Sequence, residues 1–554
     1  MTKQIRNLFI IIVSVSFVAL FTCNFVRNDF EIGKNLDIFA ALMKQLDENY
    51  VDEINATDMT KTGIDAMLKE LDPYTVYYQE SDFEDLKLMT TGQYGGIGSL
   101  IQQEGEYVII TDPYENCPAF KAGLQPGDKI AEVEGKSVKG KTVSEVSTML
   151  RGQPGTKIKI GIIPYGKTKM ENKEIVRQEI KLPNVSYYGM WEDNIGYIRL
   201  DQFLENAGLE VRNAFAKLKE EGMQSLIFDL RGNGGGLLSE AVNIVSFFVD
   251  RGNLVVSTKG KQADKNQVFV TMNQPIDTKI PIVVLVDRTS ASASEIVSGA
   301  LQDMDRAVLV GQRTYGKGLV QNVVPLSYNT NLKVTVSKYY LPSGRCIQGI
   351  DYSHKDSVGH SILKLDSLAA AFKTKGGRTV YDYGGVEPDI VEKIDPYSTV
   401  LLAMFEKNMI FNYANLFKST HSTISSAKDF VVTDIIYNDF LEYVKKYDLN
   451  YETFTEKQLK QLRQSVKADK FSEKVEDAIT SLENAVANEK QQDLIRYKKE
   501  ISELLALEIV SRYHNQKGRI EASLNVDPDM KKATKILQDA KMYSSILKGT
   551  YNEK

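Results

Sequence analysis

The sequence predicts an α/β protein with an inserted small β-rich domain and a helical C-terminal domain. Three features predict this architecture. The apolar runs Ser225–Leu230 and Pro281–Val286 are short enough for buried strands and alternate with helical patterns, which favours a largely parallel sheet. Gly92–Pro164 is rich in glycine turns and short alternating strands. From about Pro396 onward, apolar residues recur at helical spacing beside charged faces.

Composition excludes several classes of function. The chain has 554 residues, enough for several domains, and its formal net charge of −5 argues against nucleic acid as the main partner. Its three cysteines cannot build a disulfide framework. The four histidines form no metal-binding motif, and Cys-x-x-Cys and His-Glu-x-x-His patterns are absent from the sequence. We therefore expect neither a metal nor a cofactor.

The N-terminal segment, residues 1–27, reads as a signal peptide or a membrane anchor. Lys3 and Arg6 precede the apolar stretch Leu8–Val26, and this order of charge favours an N-terminus that stays inside and a chain that is exported. Leu20–Cys23 loosely matches a lipoprotein-processing box, although a buried cysteine in an anchor helix is the favoured explanation. We expect a cell-envelope protein that faces the periplasm.

The sequence predicts a helical region at residues 28–90 and a peptide-binding module at residues 91–170. Ala122-Gly-Leu-Gln-Pro-Gly-Asp128, followed by Val133-Glu-Gly135, closely resembles PDZ domains. In such a module a glycine-rich loop can hold a carboxylate with its N–H groups, and a strand edge can pair with a peptide. The alternative is that the glycines only make turns. The residues expected to bind a peptide tail are Ile97, Gly98, Ser99 and Leu100 in the loop and edge strand, and Val146 and Leu150 in a pocket for an apolar last side chain.

The predicted core, residues 180–395, contains a glycine loop at Arg231–Gly236, directly after a buried strand. The loop lacks the Gly-Lys-Ser/Thr of a phosphate-binding P-loop, and its glycine spacing differs from Gly-x-Gly-x-x-Gly. Backbone amides at a helix start can instead form an oxyanion hole, which stabilises a developing negative oxygen. A tight strand-to-helix turn is the third alternative.

The stretch Pro281–Gln321 carries the strongest chemical signal. Its buried strand is followed by small residues, Ser290–Ser294, which lead into a helix and can present a hydroxyl at the sheet edge. Lys317 lies between two glycines, close to buried strands. Burial lowers the pKa of a lysine, and a neutral lysine can accept the proton of a serine. The pattern indicates a serine nucleophile with a lysine base, but spacing alone leaves open which serine acts.

The order of these motifs resembles the C-terminal processing peptidases, also called tail-specific proteases. The resemblance runs from about Asn35 to about Asp395. It implies a core similar to the crotonase and Clp protease fold, acyl-enzyme peptidase chemistry and substrates with free C-termini. Besides the PDZ module, its motifs are Leu71-Asp-Pro-Tyr-Thr75, Asp229–Gly236, Ser290-Ala-Ser-Ala-Ser-Glu295, Thr314-Tyr-Gly-Lys-Gly318, Leu341-Pro-Ser-Gly-Arg345 and Gly385-Val-Glu-Pro-Asp-Ile390.

This resemblance implies a role for each residue of the site. Ser292 would be the nucleophile, Lys317 the base, and Gln321 the residue that orients the base. The backbone N–H groups of Ala293 and Gly235 would form the oxyanion hole.

Two features depart from the family pattern. Gly234 stands where many members have proline, and an insertion at 351–383 is expected to be a surface extension.

The lysine base needs a neutral partner and apolar surroundings. If Lys317 and Gln321 lie on one strand, four residues apart, their side chains face the same way. The Gln321 amide can then accept a lysine hydrogen bond without adding charge. The residues expected to bury the lysine are Leu319, Val320 and Val323.

Other catalytic patterns have less support. A Ser-His-Asp triad would have to recruit a histidine from the insertion or from the C-terminal region. Ser-x-x-Lys occurs at Ser361–Lys364, Ser425–Lys428 and Ser545–Lys548, but Ser-Asp-Asn is absent from the sequence. Lys-Thr-Gly occurs at Lys61–Gly63, upstream of all three and inside a helical pattern. We interpret these as chance matches.

The sequence thus predicts an envelope serine endopeptidase that cleaves proteins near or from their C-termini and recognises the substrate tail through its PDZ module. A catalytically silent PDZ adaptor is the alternative, which the joint presence of Ser292, Lys317 and Gln321 disfavours. The helical domain, 396–554, with helices expected at Thr399–Phe417 and Met530–Leu547, could form homo-oligomer contacts, bind a partner or cover the core. The other expected contact is with the membrane, through the N-terminal segment.

Overall fold

The computed structural model describes residues 30–355, 361–393 and 395–551. Contacts divide the chain into two compact units, Met1–Glu80 with Gln321–Thr335, and Ser81–Val320 with Val336–Lys554. The predicted signal or anchor segment lies outside the described residues. Within the described ranges, no helix combines the length and the apolar content needed to cross a bilayer.

The helices are numbered α1–α17 in chain order. The first, α1, covers residues 30–49. The others are Ala56–Lys69, Phe83–Thr91, Pro118–Lys121, Val143–Leu150, Ala207–Glu220, Leu238–Ser246, Ala293–Asp303, Thr399–Glu406, Met409–Thr420, Asp434–Val444, Phe454–Ala468, Glu473–Lys490, Asp493–Arg496, Lys498–Leu524, Pro528–Gln538 and Ala540–Leu547.

The strands are numbered β1–β23 in the same way. They are Val76–Tyr78, Gln93–Gly96, Ser99–Glu104, Tyr107–Pro113, Lys129–Val133, Lys136–Ser137, Lys157–Ile163, Glu171–Val176, Gln178–Lys181, Val185–Met190, Ile195–Leu200, Ser225–Asp229, Leu254–Gly260, Gln267–Val270, Ile282–Val286, Val308–Gly311, Leu319–Pro325, Asn331–Tyr340, Ile350–Lys355, Ser361–Leu363, Ala371–Lys373, Thr379–Tyr381 and Ile390–Val391.

The first unit joins the N-terminal helices to a part of the chain far along the sequence. Helix α2 begins at Asn55, whose side chain accepts the amides of Thr57 and Asp58. After α2, the Asp72 carboxylate accepts the backbone N–H groups of Tyr74 and Thr75. These bonds close a turn at the predicted Leu71–Thr75 motif. Strand β1 then pairs with β18 in antiparallel register.

The core sheet of the second unit has the strand order β10-β11-β12-β15-β16-β23. Strand β10 is antiparallel to its neighbour, and the other pairs are parallel, as the sequence predicts. Every residue of β12 and β15 is buried, in keeping with strands covered on both faces.

Both faces of this sheet are covered by helices, and one layer comes from the C-terminal region, for which covering the core was one of the roles left open. Helices α6, α7 and α8 share one apolar cluster with the sheet. On the other face, Met530, Ala533 and Ile536 of α16 and Ile546 of α17 pack against the strands. The end of the C-terminal region therefore completes the core sandwich.

The PDZ module forms a sheet with the strand order β3-β4-β5-β7-β8, and β6 pairs with β5. Strand β8 pairs with β7 in antiparallel register and forms the far edge of this sheet. Helix α5 begins with a capping box between Thr142 and Glu145. Among the described strands, β3 has a partner on one side only, so it is an edge strand.

Two of the helices predicted for the C-terminal region are each broken into two. The expected helix Thr399–Phe417 is broken into α9 and α10 at Asn408, which has φ 52° and cannot continue a right-handed helix. The expected helix Met530–Leu547 is likewise two helices that meet at Asp539. The region also contacts the PDZ module, because the Tyr165 hydroxyl donates to the Asn412 carbonyl at 2.8 Å.

The insertion at 351–383 is not only a surface extension. Its described part contains two antiparallel pairs, β19 with β20 and β21 with β22. Arg378 is buried and forms ion pairs with Asp305 and Asp389 of the core at 2.6 and 2.5 Å. A buried guanidinium with two ion pairs anchors this part of the insertion to the core. The composition of the insertion, rich in lysine and serine, gives no sign of this anchor.

Candidate active site

Ser292 lies at the sharp turn between β15 and α8. Its backbone has φ 57° and ψ −113°, in a region that non-glycine residues rarely adopt. Such a conformation costs about 1–3 kcal/mol and persists only where the surroundings hold it. The preceding turn is held by Asp287, whose carboxylate accepts the amides of Thr289 and Ser290. The serine is thus presented at the end of a buried strand, as predicted.

The two neighbouring serines are committed to structural bonds. Ser290 Oγ donates to the Leu230 carbonyl at 2.8 Å, and Ser294 Oγ donates to the Asn233 carbonyl at 2.9 Å. Both are fully buried. This geometry distinguishes Ser292 from its neighbours, which spacing alone could not do.

Lys317 is half-buried and lies between Gly316 and Gly318, before β17 begins at Leu319. The expectation that it shares a strand with Gln321 is therefore wrong. Its backbone N–H donates to the Glu295 carboxylate at 2.9 Å and not to a neighbouring strand. Leu319 is buried, as predicted, whereas Val323 is 42% exposed.

Glu295 connects the Ser292 segment to the Lys317 loop. Its carboxylate accepts the Ser292 N–H at 2.8 Å and the Lys317 N–H at 2.9 Å. It also accepts the Gly316 N–H and the Thr314 hydroxyl. The carboxylate is fully buried, and burial raises its pKa although these four hydrogen bonds act in the opposite direction. A single buried side chain thus fixes the backbone on both sides of the proposed catalytic pair.

Tyr339 of β18 binds the same two residues through their carbonyls. Its hydroxyl lies 2.8 Å from the Lys317 oxygen and 3.2 Å from the Ser292 oxygen. The ring is 1% exposed, and burial raises the pKa of the hydroxyl well above its usual value. The sequence analysis missed both Glu295 and Tyr339. The only signal for Glu295 was its place in the quoted serine motif.

The glycine loop lies directly against Ser292. The Ala291 N–H donates to the Asn233 carbonyl at 3.0 Å. Gly235 has φ +99°, and a Cβ there would lie 2.8 Å from Ser292 Cβ and 2.9 Å from Ala293 N. Only glycine allows this approach.

The two predicted oxyanion donors differ in their present bonds. The Gly235 N–H donates to Asn233 Oδ1 at 2.8 Å, so a substrate oxygen must share or replace that bond. The Ala293 N–H, at the first position of α8, has no acceptor among the described residues. A substrate oxygen would therefore displace no described hydrogen bond at the Ala293 N–H.

Gln321 belongs to the first unit and contacts a threonine of the same unit. Its Nε2 donates to Thr335 Oγ1 at 3.2 Å. The Thr335 N–H donates to Thr75 Oγ1, and the Thr75 hydroxyl donates to Asp72. The Leu71–Thr75 motif therefore contributes to the surroundings of Gln321. The proposed action of Gln321 on Lys317 remains a prediction.

The predicted peptide-binding residues divide into two groups. Gly98 has φ +72° before the edge strand, and Leu100 on that strand is 48% exposed. Val146 and Leu150, by contrast, lie in the apolar core of the module together with Ile97. Their side chains pack inward, and their assignment to a pocket for an apolar last side chain remains a prediction.

The site offers no metal-binding group. In the part of the chain that the structure describes, no cluster of three or more His, Cys, Asp or Glu side chains could hold an ion.

Three family models match the chain. Residues 194–355 match peptidase family S41, residues 109–163 match the PDZ domain, and residues 400–537 match a probable PDZ-protease C-terminal helical domain.

Individual proteins similar to this chain include two curated relatives and one solved structure. A carboxy-terminal-processing protease of Bartonella bacilliformis is 35% identical over 345 residues, 61% of this chain and 79% of that relative. A probable CtpA-like serine protease of Staphylococcus haemolyticus is 36% identical over 309 residues, 55% of this chain and 61% of the relative. Among solved structures, the photosystem II D1 C-terminal processing protease is 28% identical with a TM-score of 0.34, covering 64% of this chain and 92% of that one. The chain belongs to the carboxy-terminal-processing proteases, serine peptidases of family S41 that carry a PDZ domain.

Proposed function

We propose that this protein is an envelope endopeptidase that cleaves proteins near or from their C-termini through an acyl-enzyme on Ser292, with Lys317 as the base. The observation that carries the proposal is the shared support of the two residues. The Glu295 carboxylate binds both backbone N–H groups, at 2.8 and 2.9 Å. A nucleophile and a base must be held at a fixed separation for proton transfer, and this arrangement supports that requirement.

The reaction proceeds by acyl transfer. Neutral Lys317 accepts the hydroxyl proton while Ser292 Oγ attacks the scissile carbonyl, and the carbonyl oxygen becomes negative. Lys317 then donates a proton to the leaving amine, and the C–N bond breaks. Water, activated by the same amine, attacks the ester and releases the acyl product.

The negative oxygen needs hydrogen-bond donors at its position. Ala293 N–H at the start of α8 supplies one, and the helix dipole favours negative charge there. Gly235 N–H supplies the second once it turns from Asn233 Oδ1 to the substrate. One such donor is typically worth about 3 kcal/mol of transition-state stabilisation.

Gln321 orients Lys317 in this proposal. Its amide nitrogen is bonded to Thr335 Oγ1, which leaves the amide oxygen to accept a hydrogen bond. A neutral acceptor can hold the amine without favouring its charged form, as a carboxylate would.

The PDZ module recognises the substrate tail in this account. The edge strand β3 and the turn at Gly98 are suited to pair with an extended peptide and to bind its carboxylate. The outward-facing envelope location follows from Lys3, Arg6 and the apolar stretch Leu8–Val26.

The nucleophile can be tested by covalent labelling. The full-length protein is treated with a fluorophosphonate probe, which modifies activated serines, and the labelled peptide is sequenced by mass spectrometry. We expect the label on Ser292 and its loss in Lys317→Ala. Label on another serine, or equal labelling of the Lys317→Ala variant, would overturn the assignment.

Tail recognition has a separate test. Leu100→Asp places a charge on the exposed face of the edge strand. Hydrolysis of a protein with an apolar C-terminal tail should fall far more than hydrolysis of a small ester. An equal loss on both substrates would contradict the proposed role of the module.

A further inference from the structure

Arg231 connects the glycine loop to a helix 298 residues away along the chain. It lies at the start of the loop, directly after Asp229 and Leu230. Its Nη1 is 2.9 Å from Asp529 Oδ2, and its Nη2 is 2.6 Å from Asp527 Oδ2. Both aspartates are at the N-terminal end of α16.

The other side of the guanidinium is bound to the core sheet. Nε and Nη2 of Arg231 donate to the two oxygens of Asp229 at 3.0 and 2.7 Å, and the Arg231 backbone N–H joins them. Asp229 is fully buried and also accepts the Tyr197 hydroxyl at 2.7 Å. The guanidinium is thus held between the end of β12 and the start of α16, and its paired geometry fixes direction as well as distance.

The aspartates of α16 do not have equal surroundings. Asp527 caps the helix with Oδ1, which accepts the amides of Asp529 and Met530, so only its Oδ2 serves Arg231. Asp529 is 1% exposed, and its Oδ1 has no hydrogen-bond partner among the described residues. Asp529 therefore pairs with Arg231, whereas Asp527 supplies the cap of α16.

The loop that follows Arg231 bears directly on the nucleophile. Its Asn233 carbonyl accepts the Ala291 N–H and the Ser294 hydroxyl, on either side of Ser292. Gly235 approaches Ser292 within van der Waals contact. A shift of the guanidinium would therefore be transmitted within four residues to the proposed oxyanion donors.

We propose that Asp527 and Asp529 are positioning residues for catalysis, which hold the Gly232–Gly236 loop against Ser292 through Arg231. This inference rests on the proposed function. It makes the C-terminal helix α16 a component of the catalytic centre and explains why the last helices pack on the core sheet instead of forming a separate domain.

The test separates positioning from folding. The full-length variants Asp527→Asn and Asp529→Asn keep the side-chain shape and remove the charge, while α16 keeps its apolar face on the sheet. Asp539→Asn is the matched control, because Asp539 caps the next helix and is exposed. We expect kcat to fall roughly 10- to 100-fold in Asp529→Asn with KM changed less than about twofold, since the loss concerns the transition state. The control should keep wild-type kcat.

A second measurement reports on the oxyanion directly. A peptide boronate forms a tetrahedral adduct with the serine, so its affinity should fall by the same factor as kcat, whereas affinity for a tail peptide that binds the PDZ module should stay constant. If Asp529→Asn does not fold, Arg231→Lys tests the same inference. A lysine keeps the positive charge but cannot make the paired hydrogen bonds of the guanidinium. Folded variants with full kcat and full boronate affinity would overturn the inference.

Failure of this inference is distinguishable from failure of the proposed function. Wild-type hydrolysis that survives Ser292→Ala would overturn the function itself. Hydrolysis that Ser292→Ala abolishes, and that Asp529→Asn and Arg231→Lys leave intact, would overturn only the role of α16.

Discussion

Glu295 and Tyr339 hold the same two residues through opposite backbone groups. The Glu295 carboxylate accepts the N–H groups of Ser292 and Lys317, and the Tyr339 hydroxyl lies within hydrogen-bond distance of both carbonyl oxygens. Ser292 and Lys317, the proposed nucleophile and base, therefore share two buried supports, one an acceptor and one a donor. This relationship accounts for how two distant loops keep a fixed separation.

Replacing Glu295 by glutamine should disrupt the site without changing its volume. The glutamine NH2 group would face backbone N–H donors that now meet a carboxylate oxygen, and an unpaired buried group costs about 1–3 kcal/mol. We expect kcat for peptide hydrolysis to fall roughly 100-fold. Glu220→Gln, an exposed change on α6, serves as the control. Wild-type kcat in a folded Glu295→Gln protein would refute the role of this carboxylate.

Tyr339→Phe removes only the shared hydroxyl. The Ser292 and Lys317 carbonyls lose a donor, so we expect the free energy of unfolding to fall by about 1–2 kcal/mol and kcat by roughly tenfold. Tyr340→Phe is a closely matched control, since the adjacent ring is far less buried. Steady-state kinetics gives kcat, and urea denaturation gives the free energy of unfolding, for both variants. Equal effects at the two positions would argue against a specific bond.

The glycine loop offers a pair of neighbouring positions that should behave differently. A methyl group on Gly235 would meet the Ala291 carbonyl at 2.7 Å and Ser292 Cβ at 2.8 Å, and φ +99° adds backbone strain. Gly234 has open space: no described atom lies within 4 Å of its added methyl. Gly235→Ala should therefore lose at least about 100-fold in kcat, and Gly234→Ala should stay near wild type. Similar kinetics for the two would contradict the close approach.

Asp529 predicts a dependence of stability on pH. Burial raises the pKa of Asp529 to about 6, against an unfolded value of about 4. The folded protein binds this proton more tightly, so the group stabilises the fold below about pH 4, and that contribution is lost as the pH rises through about 6. For a pKa difference of about two, the free energy of unfolding changes by about 3 kcal/mol. Urea denaturation between about pH 4 and pH 6 should show a smaller fall in the free energy of unfolding for Asp529→Asn than for the wild type. The same pH dependence in both proteins would show that the pKa of Asp529 is not raised.

Much of the site could be predicted from local patterns. A buried strand that ends in small residues is visible in the sequence, and so is a lysine between glycines. Lys317 was nevertheless misplaced on a strand, because sequence does not reveal that Glu295 takes the amides that a strand ladder would otherwise use. In the same way, Val146 and Leu150 have a spacing that fits a groove and a core equally well.

Contacts between distant parts of the chain had no sequence signal. Tyr339 reads as an ordinary aromatic residue of a strand, and only its position opposite Ser292 gives it a role. The pairing of Arg231 with Asp529 joins segments 298 residues apart. The predicted helix Met530–Leu547 was located correctly in outline, but its packing on the core sheet depends on tertiary structure alone.

The most direct test of the account is cleavage of a protein that carries an apolar C-terminal tail. Purified full-length wild type, Ser292→Ala and Lys317→Ala proteins are incubated with this substrate, and the products are followed over time by mass spectrometry. The account predicts cleavage near the C-terminus by the wild type and its loss in both variants, with the two variants still folded. Cleavage that persists in both variants would contradict it.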